Sequence, residues 1–242
     1  MIFFEEGMFK RNKIGVIIPA HNEEDSIGRL IEKIPGYVDS IFCIDNGSKD
    51  RTYEICSQYA ATRPVVPLRE PKTGYGRACL RGIDALCDEK ITLFLDADLS
   101  DDPASMHLLL EPIASGKADF VLSSRFTPML EAGAMSLPQR WGNKLSVFLI
   151  YLLWGHRYRD LGPFRAIKTS ALKNLHMEDK NFGWTVEMQI KAAEQHLKIR
   201  EIDLPYYRRD AGKSKVSRNI RGIVRAGSKI LFTIFKLAFI RS

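Results

Sequence analysis

The 242-residue chain predicts an α/β fold: a mostly parallel sheet covered by helices on both faces, followed by a C-terminal amphipathic helical extension. Two observations predict it. Short apolar, β-branched runs alternate with segments whose apolar residues recur at helical spacing, the rhythm of successive β-α-β units. After Arg125 that rhythm stops, and the chain turns strongly basic toward its end. A composition of 45% hydrophobic and 27% charged residues is that of a folded domain, not of an extended disordered chain.

The elements follow in order. Residues 14–18 form an apolar β-branched run ending at Pro19, a buried strand. Residues 24–34 place Ile27, Leu30, Ile31 and Ile34 on one helical face. Residues 38–44 read as a second strand. Ser48 is placed to cap a helix over 49–61, with Asp50 in its first turn. A third short strand covers 65–68, and 77–86 is helical in pattern. Residues 91–95 are a fourth, wholly apolar strand. Pro103 suits the first turn of a helix reaching 114. Residues 120–123 end a fifth strand. Beyond it, 141–154 and 182–195 read as helices, 198–204 as a strand, and 217–240 as a long final helix. The apolar core 145–154 is too short to span a bilayer. We divide the chain into a body, 1–216, and a basic amphipathic helix, 217–242.

Charge is unevenly spread. From Tyr206 onward ten Lys or Arg face one acid, a net +9, which leaves −2 of the total +7 for residues 1–205. Such a tail suits phosphate groups or an anionic surface. Nucleic acid is disfavoured: the tail lacks regular aromatic interleaving, and acids crowd the strand ends. The four cysteines lack metal-ligand spacing and read as buried thiols of a reducing, cytoplasmic compartment. The N-terminus shows no signal-peptide pattern.

Ligands of open α/β sheets sit at the carboxyl ends of the strands. There the chain places Pro19-Ala20-His21-Asn22-Glu23, Asp45-Asn46-Gly47-Ser48, Asp96-Ala97-Asp98 and Ser123-Ser124-Arg125. Asp96 and Asp98, one small residue apart, suit a hard divalent cation that completes its shell with phosphate oxygens. Asp101 and Asp102 are better placed to cap the helix after Pro103. Glu23 and Asp45 suit a ribose, and Asn46 a base edge; Asn22 and Asp45 equally suit helix caps. Gly74-Tyr75-Gly76-Arg77 precedes a helix and could bring backbone N–H groups and Arg77 near an anion.

These motifs, in this order, resemble the inverting GT-A glycosyltransferases (nucleotide-diphospho-sugar transferases with a Rossmann-like sheet). Within them they resemble the dolichol-phosphate mannose synthase-like, or polyprenyl-phosphate glycosyltransferase, branch. Ser124-Arg125-Phe126, Asp160-Leu161-Gly162-Pro163-Phe164-Arg165-Ala166 and Gly212-Lys213-Ser214-Lys215 share the resemblance, which covers about residues 14–216. It implies a metal-dependent transfer of a hexose from a UDP- or GDP-linked sugar. Pro19, Ala20, Asn22, Glu23, Asp45, Asn46 and Arg77 would line the donor site. Asp96, Ala97 and Asp98 would hold Mg²⁺ or Mn²⁺ and the diphosphate. Arg125, Arg209 and Lys215 would face the donor or acceptor phosphates. Two positions depart from the pattern: Asn46 replaces a common second Asp, and Ser100 replaces a Gln that can touch the metal. A sugar nucleotidyltransferase is disfavoured, because the loop after the first strand is not a Gly-rich, Arg-containing one.

The acceptor decides the chemistry. A lipid monophosphate is already ionised near neutrality and needs no strong base. A saccharide hydroxyl needs one, and Asp160 and Glu187 are the candidates. Each could instead be structural, paired with Arg165 or a neighbouring base. The final helix favours the lipid: Arg218, Arg221, Arg225, Lys229 and Lys236 cluster opposite Ile223, Val224, Ile230, Leu231, Ile234 and Leu237, with Phe232, Phe239 and Ile240 interrupting the polar face. That pattern suits a peripheral helix on the anionic cytoplasmic face of a membrane. Packing on the body, or against a second copy in a homo-oligomer, is the alternative.

Overall fold

The computed structural model describes residues 9, 12–126, 129–209 and 220–241. Among them a seven-stranded mixed sheet forms the centre, in the order β3-β2-β1-β4-β6-β5-β7. β1 (Ile14–Ala20), β2 (Ser40–Asp45), β3 (Val65–Arg69) and β4 (Ile91–Phe94) are parallel, as the sequence predicts. Helices α1 (Ile27–Lys33), α2 (Thr52–Tyr59) and α3 (Tyr75–Asp84) link them. A 3-10 turn (Pro103–Ser105) enters α4 (Met106–Ala114), then β5 (Phe120–Ser124) and α5 (Leu137–Trp154). β6 (Arg165–Lys168), α6 (Thr169–Asn174), α7 (Trp184–Glu194), β7 (Ile199–Asp203) and α8 (Ile220–Arg241) complete the described chain.

The two-residue period of β1 splits the core. Val16 and Ile18 join the α1 side chains Leu30 and Ile31 and the α4 residues Leu109 and Leu110 on one face. Ile17 joins Phe42, Ile44, Phe94 and Trp184 on the other, under α3 and α7. Cys43, Cys56 and Cys79 are buried, and all four cysteines are free.

Three expectations need correction. The sequence reading contained neither β6 nor α6. β6 is antiparallel to both β4 and β5, with Arg165 opposite Phe94 and Leu122. A four-residue strand that opens on a buried Arg carries no apolar run to recognise. Ser48 does not cap α2; its hydroxyl accepts the N–H of Asn22 (2.8 Å), and Asp50 accepts that of Thr52 (3.1 Å). α5 starts at Leu137, four residues before the expected 141, because Ser136 and Gln139 form a reciprocal capping box there.

α8 lies against the body. Ile234 is fully buried, and Ile230, Leu231 and Leu237 pack on the second core. Its described basic side chains do not form one solvent stripe; Arg218 and the Arg221 side chain lie outside the described residues. Lys229 pairs with Asp179 (2.7 Å), Lys236 with Glu178 (3.7 Å), and Arg225 reaches the central cavity. The outward side is apolar instead, with Val224, Phe232, Phe235, Phe239 and Ile240 exposed. No described helix is long and apolar enough to cross a membrane.

Candidate active site

One edge of the sheet collects the polar residues. β1, β2 and β4 are parallel, so their carboxyl ends share that edge. β6 runs the opposite way, so its amino end, preceded by Asp160–Phe164, returns there. β7 runs with β5 and delivers Tyr206 and Arg209 to the same place. The resulting cavity of about 490 Å³ is lined by Pro19, Ala20, His21 and Glu23 from the first strand end and by Asn46 from the second. Asp96, Ala97, Asp98, Ser100 and Arg125 line it too, together with Tyr206 and Arg209.

Asp96 is half-buried and accepts a hydrogen bond from the Tyr75 hydroxyl (3.0 Å). Desolvation, then the charge of Asp98, pushes its carboxyl up to about 7. Asp98 is turned by a bend at Leu99, whose φ of +60° lies in the left-handed region. That conformation costs a non-glycine residue roughly 1–2 kcal/mol. The Ser100 N–H, bonded to Asp98 Oδ1 (3.0 Å), helps to hold the bend. Asp98 Oδ2 accepts Arg209 Nη2 (2.8 Å) and Nε (3.1 Å), while Arg209 Nη1 reaches Glu23 (3.0 Å). Burial alone would lower the Arg209 pKa, but Asp98 and Glu23 outweigh it and hold it raised.

Arg125 and Asp160 form a buried two-pronged pair. Arg125 Nε and Nη2 each donate at 2.8 Å, and the Arg125 backbone N–H adds a third bond at 2.8 Å. The Leu161 N–H donates to the other oxygen of Asp160 (2.7 Å). Burial would raise the Asp160 pKa, but the Arg125 charge and these hydrogen bonds bring it below the usual carboxylate value.

Several predicted residues serve the walls instead of the cavity. Asn22 Oδ1 of the side-chain amide accepts the Lys49 N–H (2.7 Å), which staples the first two strand-end loops together. Asp45 accepts the Ser48 N–H (3.1 Å) at the rim of its own turn. Asn46 lines the cavity, yet its side chain ties down the 70–74 loop: Nδ2 donates to the Lys72 carbonyl (2.9 Å) and Oδ1 accepts the Gly74 N–H (2.7 Å). The Arg77 N–H is taken by the Lys180 carbonyl (3.2 Å), and Arg77 is not among the lining residues. Glu187 lies away from the cavity and accepts the N–H groups of Glu178 (2.9 Å) and Asp179 (2.7 Å) and the ammonium of Lys191 (2.8 Å). Asp102 caps the 3-10 turn, as foreseen. Asp101 instead bridges Tyr206 through its backbone. Lys215 lies outside the described residues.

Sequence reasoning missed Tyr75, Asn181, Phe182, Tyr206 and Arg225 as lining residues. Tyr206 follows the last strand, so the strand-end rule applied to β7 would have found it. Asn181 and Phe182 had no such signal.

Residues 15–175 match the family model described as Glycosyl transferase family 2. The chain belongs to that family. It is 28% identical to the UDP-N-acetylglucosamine–dolichyl-phosphate N-acetylglucosaminyltransferase of Methanococcus voltae, over 79% of this chain and 84% of that one. It is 28% identical to the undecaprenyl-phosphate mannosyltransferase of Micrococcus luteus, over 87% and 90%. A crystal structure of glucosyl-3-phosphoglycerate synthase from Mycobacterium tuberculosis, in complex with Mn²⁺, UDP and phosphoglyceric acid, superposes with a TM-score of 0.75. That match covers 98% of this chain and 82% of the synthase at 21% identity, a likeness of fold. The glycosyltransferase therefore has the expected GT-A architecture, with the expected mostly parallel sheet made mixed by the antiparallel β6.

Proposed function

We propose that this glycosyltransferase moves a hexose, with inversion, from a UDP- or GDP-linked sugar to a polyprenyl phosphate at the cytoplasmic membrane surface. The observation that carries the reading is the state of the two candidate bases. Asp160 is fully occupied by Arg125 and Leu161, and Glu187 lies outside the cavity. Three arginines, Arg125, Arg209 and Arg225, line the same cavity. A hydroxyl acceptor needs a proton acceptor at its oxygen, whereas a phosphate monoester arrives ionised and needs cationic placement. The two relatives named for dolichyl and undecaprenyl phosphate agree with that acceptor and differ in sugar.

The donor's nucleoside would lie along Pro19, Ala20 and Asn46, with Glu23 toward its ribose. Asp96 and Asp98 fit a hard divalent cation. They are two carboxylates beside open space, and no described group of three acidic, His or Cys side chains could hold a metal on its own. The shell would then be completed by diphosphate and water. Bound there, Mg²⁺ or Mn²⁺ would supply neutralisation of the leaving diphosphate. Arg125, fixed by Asp160, holds phosphate oxygens at one place without reorganising. Arg209 carries a second cation on the segment after β7, and Lys215 would add a third.

Incubation with Mn²⁺ or Mg²⁺, a panel of nucleotide sugars and a short polyprenyl phosphate is expected to yield one glycolipid by mass spectrometry. Transfer to saccharide hydroxyls with no glycolipid would overturn the lipid acceptor.

The outward faces of α5 and α8, which touch each other, support a seat on the membrane. On α5, Leu137, Trp141, Leu145, Phe148 and Leu152 are exposed at helical spacing, Trp141 to 71%; on α8, Phe239 is 80% exposed. Burying one such side chain is worth about 1.5–3 kcal/mol. The double variant Trp141→Ser/Phe239→Ser is therefore expected to lose at least about tenfold in affinity for anionic vesicles, read by co-sedimentation. Unchanged vesicle binding, with a dimer dissociating to monomers in light scattering, would assign this face to a second copy instead.

A further inference from the structure

We propose that Asp179 is a positioning residue that ties α8 to the donor side of the cavity, so that α8 is part of the catalytic body. The inference rests on the reading of that cavity as a nucleotide-sugar site.

The connection can be followed bond by bond. On one side, Asp179 Oδ2 accepts Lys229 Nζ (2.7 Å) and Thr233 Oγ1 (3.3 Å), both from α8. The approach is close: a Cβ on Gly183 would sit 2.2 Å from Thr233 Oγ1 and 2.6 Å from Asp179 Oδ2, so only glycine fits between them. On the other side, Asp179 Oδ1 accepts the Asn181 N–H (2.8 Å). Asn181 and Phe182 are cavity wall. The Glu187 carboxylate grips the N–H groups of Glu178 and Asp179. Residues 178–182 are thus a strap fixed at every turn by buried acids.

The strap then bears on the donor loop. A Cβ on Gly76 would lie 2.0 Å from the Asp179 carbonyl, and one on Gly74 2.3 Å from the Lys180 carbonyl. The Lys180 carbonyl also accepts the Arg77 N–H. The glycines at the start of α3, which resemble an anion cradle in sequence, are instead the seat of this strap. Gly74 is held from its far side by Asn46, and Tyr75 carries the hydrogen bond to Asp96. A shift of α8 is passed through Asp179 to Gly74 and Tyr75, and so to the pocket that would take the nucleoside diphosphate. Glu187, a candidate base in the sequence, has its role here.

This account explains why Lys229 turns toward the body, while Lys236 stays at the surface beside Glu178. They serve the acids of the strap, while α8 meets its surroundings through phenylalanines.

The test uses the whole chain and three variants: Asp179→Asn, Lys229→Met and the conservative Lys229→Arg. Calorimetry with Mn²⁺ and either UDP or GDP, whichever the unaltered protein binds more tightly, is expected to show Kd about five- to tenfold weaker for Lys229→Met, the lower end of the usual range for coupling between sites, and recovery in Lys229→Arg. Donor KM is expected to rise in parallel with a smaller change in kcat. Hydrogen exchange needs no ligand: amides of residues 75–78 should exchange faster in Lys229→Met while β1 and β4 keep their protection. Asp179→Asn should show both effects more strongly; if it fails to fold, Lys229→Met decides alone. Unchanged exchange at 75–78 in Lys229→Met, or equal loss of protection throughout the protein, would overturn the coupling. Faster exchange at 75–78 with no binding of UDP or GDP by the unaltered protein would keep the strap and remove the donor reading.

Discussion

Replacing Asp98 by alanine is expected to lower kcat/KM by about a thousandfold, the scale of several kcal/mol of lost charge stabilisation at a diphosphate. Two effects act together. The carboxylate is one of the only two acidic groups beside each other at the end of β4 that line the cavity. It also anchors Arg209, whose Nε and Nη2 both rest on it. Without it Arg209 keeps, among the described residues, Glu23 alone, and the cation after β7 is no longer aimed at the phosphates. Asp98→Asn separates the two effects from loss of the local bend, because an amide oxygen still accepts the Ser100 N–H. Mn²⁺ binding to the free protein supplies a readout without turnover. In the unaltered protein it should weaken as pH falls below about 7, because the proton that then binds Asp96 competes with the metal. In Asp98→Asn the like-charge contribution to the Asp96 shift disappears, so this dependence should move to lower pH. Turnover by Asp98→Ala at the unaltered rate, or Mn²⁺ affinity indifferent to pH between 6 and 8, would remove these aspartates from the metal site.

The legible part of the fold is the part written in period. Residues 14–18, 38–44 and 91–95 announce buried strands, and once those are placed the strand-end rule finds Pro19, Glu23, Asp96 and Asp98 without further help. β6 was hidden because its first residue is Arg165, an ion buried in the sheet. Its guanidinium is satisfied by the carbonyls of Leu161, Gly162 and Thr185, partners that no local pattern reveals. The fates of Asn46 and Arg77 were hidden for a related reason. Residue type announces capacity for hydrogen bonding, but the partners are backbone groups 24 to 103 residues away, set by how the loops stack. The face of α8 was hidden because a helical projection sorts polar from apolar and is blind to which polar side meets an acidic strap.

Asp160 is expected to act as a clamp on Arg125, and its removal should be the most destabilising single change at the site. The Asp160 side chain is fully buried, and Arg125 is largely so. Taking away one partner of such a pair leaves a buried charge uncompensated, at a cost of about 3–5 kcal/mol. Asp160→Ala should therefore unfold in chemical denaturation at markedly lower urea with an unchanged slope, and Asp160→Asn, which keeps the Leu161 N–H bonded, should lose less. The pH dependence has a definite sign. Asp160 is held below its unfolded pKa of about 3.9, so its contribution is fully present above that value and is lost as pH falls through the folded one. The stability gap between the unaltered protein and Asp160→Asn should be constant from pH 5 to 7 and narrow below about pH 4. A gap that stays constant into acid would contradict the pairing. Kinetics distinguish a clamp from a base. If Asp160 took a proton from an acceptor hydroxyl, Asp160→Asn would abolish transfer while Arg125→Lys kept a substantial rate. If Asp160 serves only to aim Arg125, Asp160→Asn and Arg125→Lys should fall together, because a lysine cannot reproduce the two-pronged contact. Their double variant should then be little worse than either alone.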